Sequence, residues 1–313
     1  MTRVLVIGCN GQDGQLLARN LQKNGYCVYG VTKSGDEQVV PTGAYTEIFK
    51  LDFTRPEIVE SFLPEIEPSV VFHLASVNTS SKLSIHGPSF MEEKWARAVQ
   101  VGITENVLSV IDRTLSSTKF LLAGSSRMYS AGGIRKSVAR ESAPNPSDSY
   151  GNLKAEAHAL VVKARERGLN VGTAILFNHE SELRKEGFLF PHLADEIAQI
   201  LNGNSKEIRV MDADSMTDWH AAQETVEGLI KMAEKPIVAD YVFASGESLS
   251  VRALISEYFR EFQESESPTV ISTLPHPNRG VLIGDISDTT RDLDWSPNIR
   301  VISILDQLIR QRL

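Results

Sequence analysis

The feature that most constrains this chain lies at its start, where an apolar run leads into glycines spaced by threes. Arg3–Gly8 reads as a buried strand, and the chain continues Gly8-Cys9-Asn10-Gly11-Gln12-Asp13-Gly14. Glycine permits a tight turn and lets the backbone come close to a ligand. The stretch from Gln12 to Asn24 has helical periodicity, so its free N–H groups point back at the loop, where a pyrophosphate is stabilised. Glycines alone would also suit a packed turn. Set after a first strand and opening a helix, they form the dinucleotide-binding fingerprint. The residues expected to hold NAD(P) are Gly8, Asn10, Gly11, Gln12, Asp13 and Gly14, with Leu74 and Ala75 at a later strand end.

The first half continues the alternation. Tyr26–Thr32, Tyr45–Leu51, Ser69–Ala75, Lys119–Gly124 and Asn170–Phe177 read as strands, and Ile58–Leu63, Met91–Leu115 and Tyr150–Arg167 as helices. Such alternation predicts an α/β fold with a Rossmann-type doubly wound parallel sheet. Beyond Asn178 the pattern is mixed. Helices are expected at Phe190–Asn202, Ala221–Ala233, Val251–Phe262 and Ile302–Arg312. Strands are expected at Ile208–Met211, Asp240–Ser245 and Thr269–Ser272. A length of 313 residues accommodates a second, smaller unit. We expect a dinucleotide-binding domain over 1–177, with 212–245 returning to it, and an interleaved α+β substrate lobe from 178–211 and 246–300.

The second strand ends Val31-Thr32-Lys33-Ser34, with no acid before Asp36. NAD-preferring sites usually place an acid there for the ribose hydroxyls. A cation and hydroxyls suit a 2′-phosphate, so Lys33 leans the expectation towards NADP, with NAD possible as the alternative. Asp52 has two readings, a contact to the adenine amino group or a cap before Thr54-Arg55-Pro56.

A net charge of -8 argues against nucleic-acid or anionic-membrane binding, which needs a basic face. Cys9 and Cys27 form no disulfide framework, which fits a reducing cytoplasm. The apolar run Val4–Ile7 is too short for a signal segment or a membrane span. His73, His86, His158, His192, His220 and His276 lack metal-ligand spacing, so no metal is expected.

Tyr150 and Lys154 lie four apart at the start of an amphipathic helix, on one face. A phenol is ordinarily a poor base at neutral pH, and a neighbouring ammonium favours its phenolate form. Such a pair exchanges a proton with an alcohol while hydride passes to or from a cofactor. The pair follows a strand ending in Gly124-Ser125-Ser126, at the carboxyl edge where doubly wound sheets bind ligands. Ser125 is placed to bond the same substrate oxygen. Ser125, Tyr150 and Lys154 are the expected catalytic residues, and Tyr150 and Lys154 are expected to bind the cofactor as well.

These residues resemble the extended short-chain dehydrogenases/reductases that modify nucleotide sugars, most closely the GDP-mannose 4,6-dehydratase family. The likeness covers most of the chain. Gly11-Gln12-Asp13-Gly14 is similar to that family's cofactor loop, Ala123–Tyr129 to its Ser/Thr segment and Tyr150-Gly151-x-x-Lys154 to its Tyr–Lys motif. The most specific match is Ile175-Leu176-Phe177-Asn178-His179-Glu180-Ser181. Asp218-Trp219, Ser245-Gly246-Glu247, Ser250-Val251-Arg252, Gly284-Asp285 and Asp294-Trp295-x-Pro297 follow in the family's order. The resemblance implies a GDP-linked sugar between two lobes, with Arg127, Asn178, Arg184 and Arg252 as candidate substrate contacts. It also implies a homodimer through the helices Met91–Leu115 and Tyr150–Arg167.

The departures bear on the reaction. In the resembled dehydratases an acid after the Ser/Thr pair removes the sugar C5 proton. Arg127 stands there, and a guanidinium cannot serve as a base. Thr217 replaces the family's Arg before Asp-Trp, its later basic pair is lost around Pro191-His192, and Asn278-Arg279 replaces an acidic position. Oxidation at C4 needs only Ser125, Tyr150, Lys154 and cofactor. We therefore expect a C4 dehydrogenase or keto-reductase. The alternatives are a true 4,6-dehydratase using another acid such as Glu141 or Asp148, an epimerase, and a non-catalytic NAD(P)-binding sensor. His179 reads either as a group orienting a sugar hydroxyl or as a hydrogen-bonded structural residue. Trp95 and Trp219 read as packing, and Met128 as core or pocket wall.

Overall fold

A computed structural model describes residues 2–33, 43–77, 90–263, 267–273 and 280–313. Ser34, Asp36, His86, His276, Asn278 and Arg279, weighed above, lie outside the described residues. The first half runs β1 (Arg3–Ile7), α1 (Gln12–Lys23), β2 (Cys27–Thr32), β3 (Glu47–Lys50), α2 (Pro56–Ile66), β4 (Val70–His73), α3 (Phe90–Arg97), α4 (Ile103–Thr114), β5 (Lys119–Ala123), β6 (Arg135–Val138), α5 (Ser149–Glu166) and β7 (Val171–Leu176). The second half runs β8 (Asn178–Glu180), α6 (Leu189–Leu201), β9 (Glu207–Val210), β10 (Met216–Thr217), β11 (Trp219–Ala221), α7 (Ala222–Glu234), β12 (Tyr241–Phe243), β13 (Leu249–Ser250), α8 (Val251–Phe262), β14 (Thr269–Ser272), β15 (Val281–Gly284), α9 (Ser287–Leu293) and α10 (Val301–Arg310).

Seven strands form one sheet in the order β12-β7-β5-β4-β1-β2-β3. Every neighbouring pair is parallel. The α/β Rossmann-type architecture read from the sequence is therefore present. The first strand shows why its residues are apolar throughout. Side chains alternate across a strand, so Val4 and Val6 face one helical layer and Leu5 and Ile7 the other. On one side α1 and α7 bring Leu16, Leu17, Val226 and Leu229 to the sheet. On the other, α2, α4 and α5 bring Phe62, Leu63, Val107, Ile111 and Val161.

A further core lies beside the sheet layers. It gathers Phe190, Leu193 and Ile197 from α6, Ile208 from β9, Leu254 and Tyr258 from α8, and Leu305 and Leu308 from α10. Residues 286–295 instead pack with the sheet, through Ile286, Leu293 and Trp295. Four two-stranded pairings join distant parts of the chain: β8 with β11, β10 with β13, β9 with β14, and β6 with β15. Among the described residues no helix is long and apolar enough to cross a membrane.

Candidate active site

A cavity of about 840 Å³ opens at the carboxyl ends of β1, β4, β5 and β7, where the strand order reverses. This is where open α/β sheets take ligands. Its floor is the glycine loop. Gly8 has φ +92°, and a Cβ there would lie 2.6 Å from the Ala75 nitrogen. A Cβ on Gly14 would lie 2.5 Å from the Gly8 carbonyl oxygen. Only glycine lets loop, strand end and helix meet so closely. Tyr45 braces the loop from beneath, its hydroxyl lying 3.0 Å from Cys9 O and 2.7 Å from Gly14 O. Gly11 begins α1 without a side-chain cap, so the first helical N–H groups are open to an anion. Loop, cavity and helix end together fit a dinucleotide.

At the end of β2, Lys33 lies 3.6 Å above the Trp95 ring and 3.0 Å from Asp52. Asp52 accepts from the Thr54 backbone nitrogen at 3.2 Å and its hydroxyl at 2.6 Å. It thus turns the chain ahead of α2 while also lining the cavity. Burial would raise its carboxyl, but Thr54 and Lys33 hold it below the usual value.

The Ser125, Tyr150 and Lys154 side chains line the same cavity. Ser125 Oγ accepts from the Arg127 nitrogen at 3.1 Å, which leaves its own proton free to donate. Lys154 is buried, donates to Ala123 O at 2.8 Å and lies 5.8 Å from the Tyr150 ring centroid. Ser76 Oγ is 3.5 Å from the Tyr150 hydroxyl. Beneath them His73 is buried, and burial and the Lys154 charge push its imidazole down to about 3. It therefore adds no charge to the site.

Arg127 is turned onto Asp148, at 3.0 Å through Nε and 2.6 Å through Nη2. Asp148 also caps α5 by accepting from Gly151 N at 2.9 Å. Gly151 packs so tightly on the Arg127 carbonyl that a Cβ would approach it to 2.1 Å. The Ser125 loop and the Tyr150 helix are thereby locked together. A side pocket of about 230 Å³ shares Arg127, Phe177 and Asn178 with the main cavity and is also lined by Asp148, Thr217 and Asp218. Asp218 accepts from Ser245 N at 2.7 Å, Gly246 N at 3.1 Å and Gly284 N at 3.1 Å. Glu141 is exposed on Arg140 and lines neither space.

The opposite wall carries Asn178, His179 and Arg184. Arg184 bonds Glu180 at 2.7 and 3.0 Å and His179 O at 3.0 Å, with its guanidinium 4.5 Å from the Phe188 ring. Gln12 and Asp13 reach across to this wall. Gln12 Nε2 donates to His179 O at 3.2 Å, and Asp13 Oδ2 lies 3.0 Å from His179 Nε2.

Of the residues singled out from sequence, Gly8, Asn10, Gly11, Gln12, Asp13, Gly14, Lys33, Asp52, Leu74, Ala75, Ser125, Arg127, Tyr150, Lys154, Asn178 and Arg184 all line the cavity. Arg252 does not. Its guanidinium binds Asp214 at 2.7 and 3.0 Å and Val270 O at 2.9 Å, which ties α8 to the strand after it. Sequence reading missed Ser76, Thr54, Lys185 and Phe188, and took Trp95 for plain packing although it lines the site. Only Ser76, two residues beyond Leu74, had a local signal.

The family model described as GDP-mannose 4,6 dehydratase matches residues 5–308. The chain belongs to the GDP-mannose 4,6 dehydratase family. Among curated relatives, the human GDP-mannose 4,6 dehydratase is 28% identical over 345 residues, spanning 98% of this chain and 89% of that protein. Among solved structures, RMD from Pseudomonas aeruginosa complexed with NADPH aligns with TM-score 0.77 and 22% identity, covering 99% of this chain and 98% of that one. The dTDP-glucose 4,6-dehydratase of Bacillus anthracis in complex with NAD aligns with TM-score 0.81 and 15% identity, covering 99% and 96%. At these identities the solved structures speak for the fold. Membership in the GDP-mannose 4,6 dehydratase family makes the chain one of a family of nucleotide-sugar enzymes.

Proposed function

We propose that this chain is an NADP-dependent oxidoreductase acting at C4 of a GDP-linked sugar, with NAD as the alternative cofactor. One observation carries the choice over dehydration. Where the dehydratase pattern has an acid, Arg127 is bound to Asp148. Among the described residues the carboxylates lining the main cavity are Asp13 and Asp52. Asp13 is taken by His179, and Asp52 by Lys33 and Thr54. In the adjoining pocket Asp148 is held by Arg127, and Asp218 by the Ser245, Gly246 and Gly284 N–H groups, so among the described residues each carboxylate of the two spaces is already engaged.

The roles follow from chemistry. Tyr150 takes the proton of the C4 hydroxyl, or returns it to a C4 ketone. Ser125 keeps its hydroxyl proton for the same oxygen, because its lone pair already holds the Arg127 N–H. Lys154 supplies positive charge beside the phenol and, through Ala123 O, fixes the helix against the sheet. The glycine loop, Asn10, Leu74 and Ala75 would hold the dinucleotide, whose nicotinamide supplies the hydride acceptor or donor. Lys33, on the Trp95 face, would meet a 2′-phosphate. Arg127, Asn178 and Arg184 would contact the sugar and its diphosphate.

We assign dinucleotide binding to 1–177 with 212–245, and sugar-nucleotide binding to 178–211 with 246–300. We further propose a cytoplasmic homodimer formed through α3, α4 and α5. The test is incubation with cofactor and GDP-mannose or its 4-keto derivative, followed by mass. A change of two hydrogens is expected. Loss of one water from GDP-mannose would refute the oxidoreductase reading in favour of dehydration.

A further inference from the structure

We propose that His179 is a positioning residue held as an imidazolium, strapping the glycine loop to the wall that carries Asn178 and Arg184. The inference rests on the dinucleotide reading of the cavity.

The hydrogen-bond chemistry carries it. His179 Nδ1 lies 2.7 Å from Phe177 O, and a carbonyl only accepts. His179 Nε2 lies 3.0 Å from Asp13 Oδ2, and an ionised carboxylate only accepts. Both contacts are satisfied when both ring nitrogens carry protons. The side chains are 12% and 20% exposed, so water competes weakly. Gln12 completes the strap, donating from Nε2 to Asp13 Oδ1 at 3.1 Å and to His179 O at 3.2 Å, and accepting from Ser181 Oγ at 2.9 Å. Ser181 Oγ in turn accepts from Leu183 N at 3.1 Å. Two segments 166 residues apart are therefore joined across the mouth of the loop.

The charged and titratable groups facing His179 come from three elements. Asp13 belongs to α1, Arg184 to the loop after β8, and His220 to β11, its ring centroid 5.6 Å away. Arg184 is engaged by Glu180. His220 stays neutral, because burial and then the His179 charge push it far below the ordinary imidazole value, and its Nε2 meets Thr225 Oγ1 at 2.7 Å. Burial also disfavours charge on His179, but the Asp13 charge and hydrogen bond outweigh it and raise the imidazole above its ordinary value. Burial works against Asp13 likewise. The His179 charge, the bonds from His179 and Gln12, and the Arg184 charge together hold its carboxyl well below the usual range. A histidine raised in this way contributes fully below its unfolded pKa and loses that contribution as pH rises through the folded one. The strap should therefore loosen on the alkaline side.

Long-range ¹H–¹⁵N spectra of the whole protein test the charge. Two protonated nitrogens at neutral pH are expected for His179, with ordinary titration restored by Asp13→Asn. A singly protonated wild-type ring overturns the proposal. Fluorescence titration with NADPH tests the strap. His179→Gln, shown folded by its melting curve, is expected to bind about tenfold more weakly at neutral pH, the worth of one charge-assisted hydrogen bond. Wild-type affinity should fall towards the variant's as pH rises above the ordinary imidazole range, while the variant's stays flat. Equal affinity and equal pH dependence in the two proteins overturn the strap. No NADPH binding by either protein overturns the dinucleotide reading, while the spectra still decide the imidazolium.

Discussion

In the proposed reaction, a phenol and a carbonyl-tethered ammonium set what the corner around Ser125 can do. Replacing Tyr150 by Phe removes the hydroxyl proposed to exchange a proton with the substrate alcohol, and leaves the glycine loop untouched. Turnover should fall by about 10²–10⁴-fold, the usual worth of a general acid–base group. NADPH affinity in an equilibrium titration should remain within about twofold of wild type, since one side-chain hydroxyl at the reacting end adds little to binding. Turnover equal to wild type would remove Tyr150 from the chemistry. Much of this corner was legible in the chain. Gly8, Gly11 and Gly14 announce themselves by spacing, and Tyr150 and Lys154 by helical phase. What could not be read was who holds whom. The Asp13–His179 contact spans 166 residues and the Arg127–Asp148 contact 21, so only the folded chain brings the partners together. Arg252 is the complementary case. Its motif matched, yet Asp214 claims the guanidinium away from the cavity.

At the level of elements, long periodic segments were readable and short paired ones were not. The seven-stranded sheet and its flanking helices follow from apolar runs and 3.6-residue stripes. The small pairings β8·β11, β10·β13 and β6·β15 involve strands of two to four residues whose partners lie far along the chain. No local pattern marks them. The stretch read as one helix over Met91–Leu115 is broken by a wider π turn at Ala98–Gly102 between α3 and α4. Its residues give no compositional hint of the extra backbone spacing. One tie between elements is testable on its own. Asp240 precedes β12 and is buried. It accepts from Arg165 of α5 at 2.8 and 2.6 Å and from Thr173 N of β7 at 2.7 Å. Asp240→Ala leaves a partly buried guanidinium and a buried N–H unpaired. The loss in chemical denaturation should be about 3 kcal/mol, the lower end for breaking such pairs because Arg165 keeps some solvent. A loss near zero would show that water replaces the carboxylate without cost.

For the whole molecule, the proposed dimer is the property most easily checked. Light scattering should return about twice the 34.6 kDa of one chain, the two-fold pairing commonest among soluble oligomers. A mass of one chain would dismiss pairing through α3, α4 and α5. The core beside the sheet carries a different consequence. It is assembled from three separated stretches, 189–221, 249–272 and 301–310, with sheet-packed residues between them. No contiguous cassette exists to be cut out or transplanted. Grafting one stretch from a relative would set foreign side chains against two native ones across a shared interior. Retuning such a protein for another sugar therefore favours single substitutions on the cavity wall over module exchange.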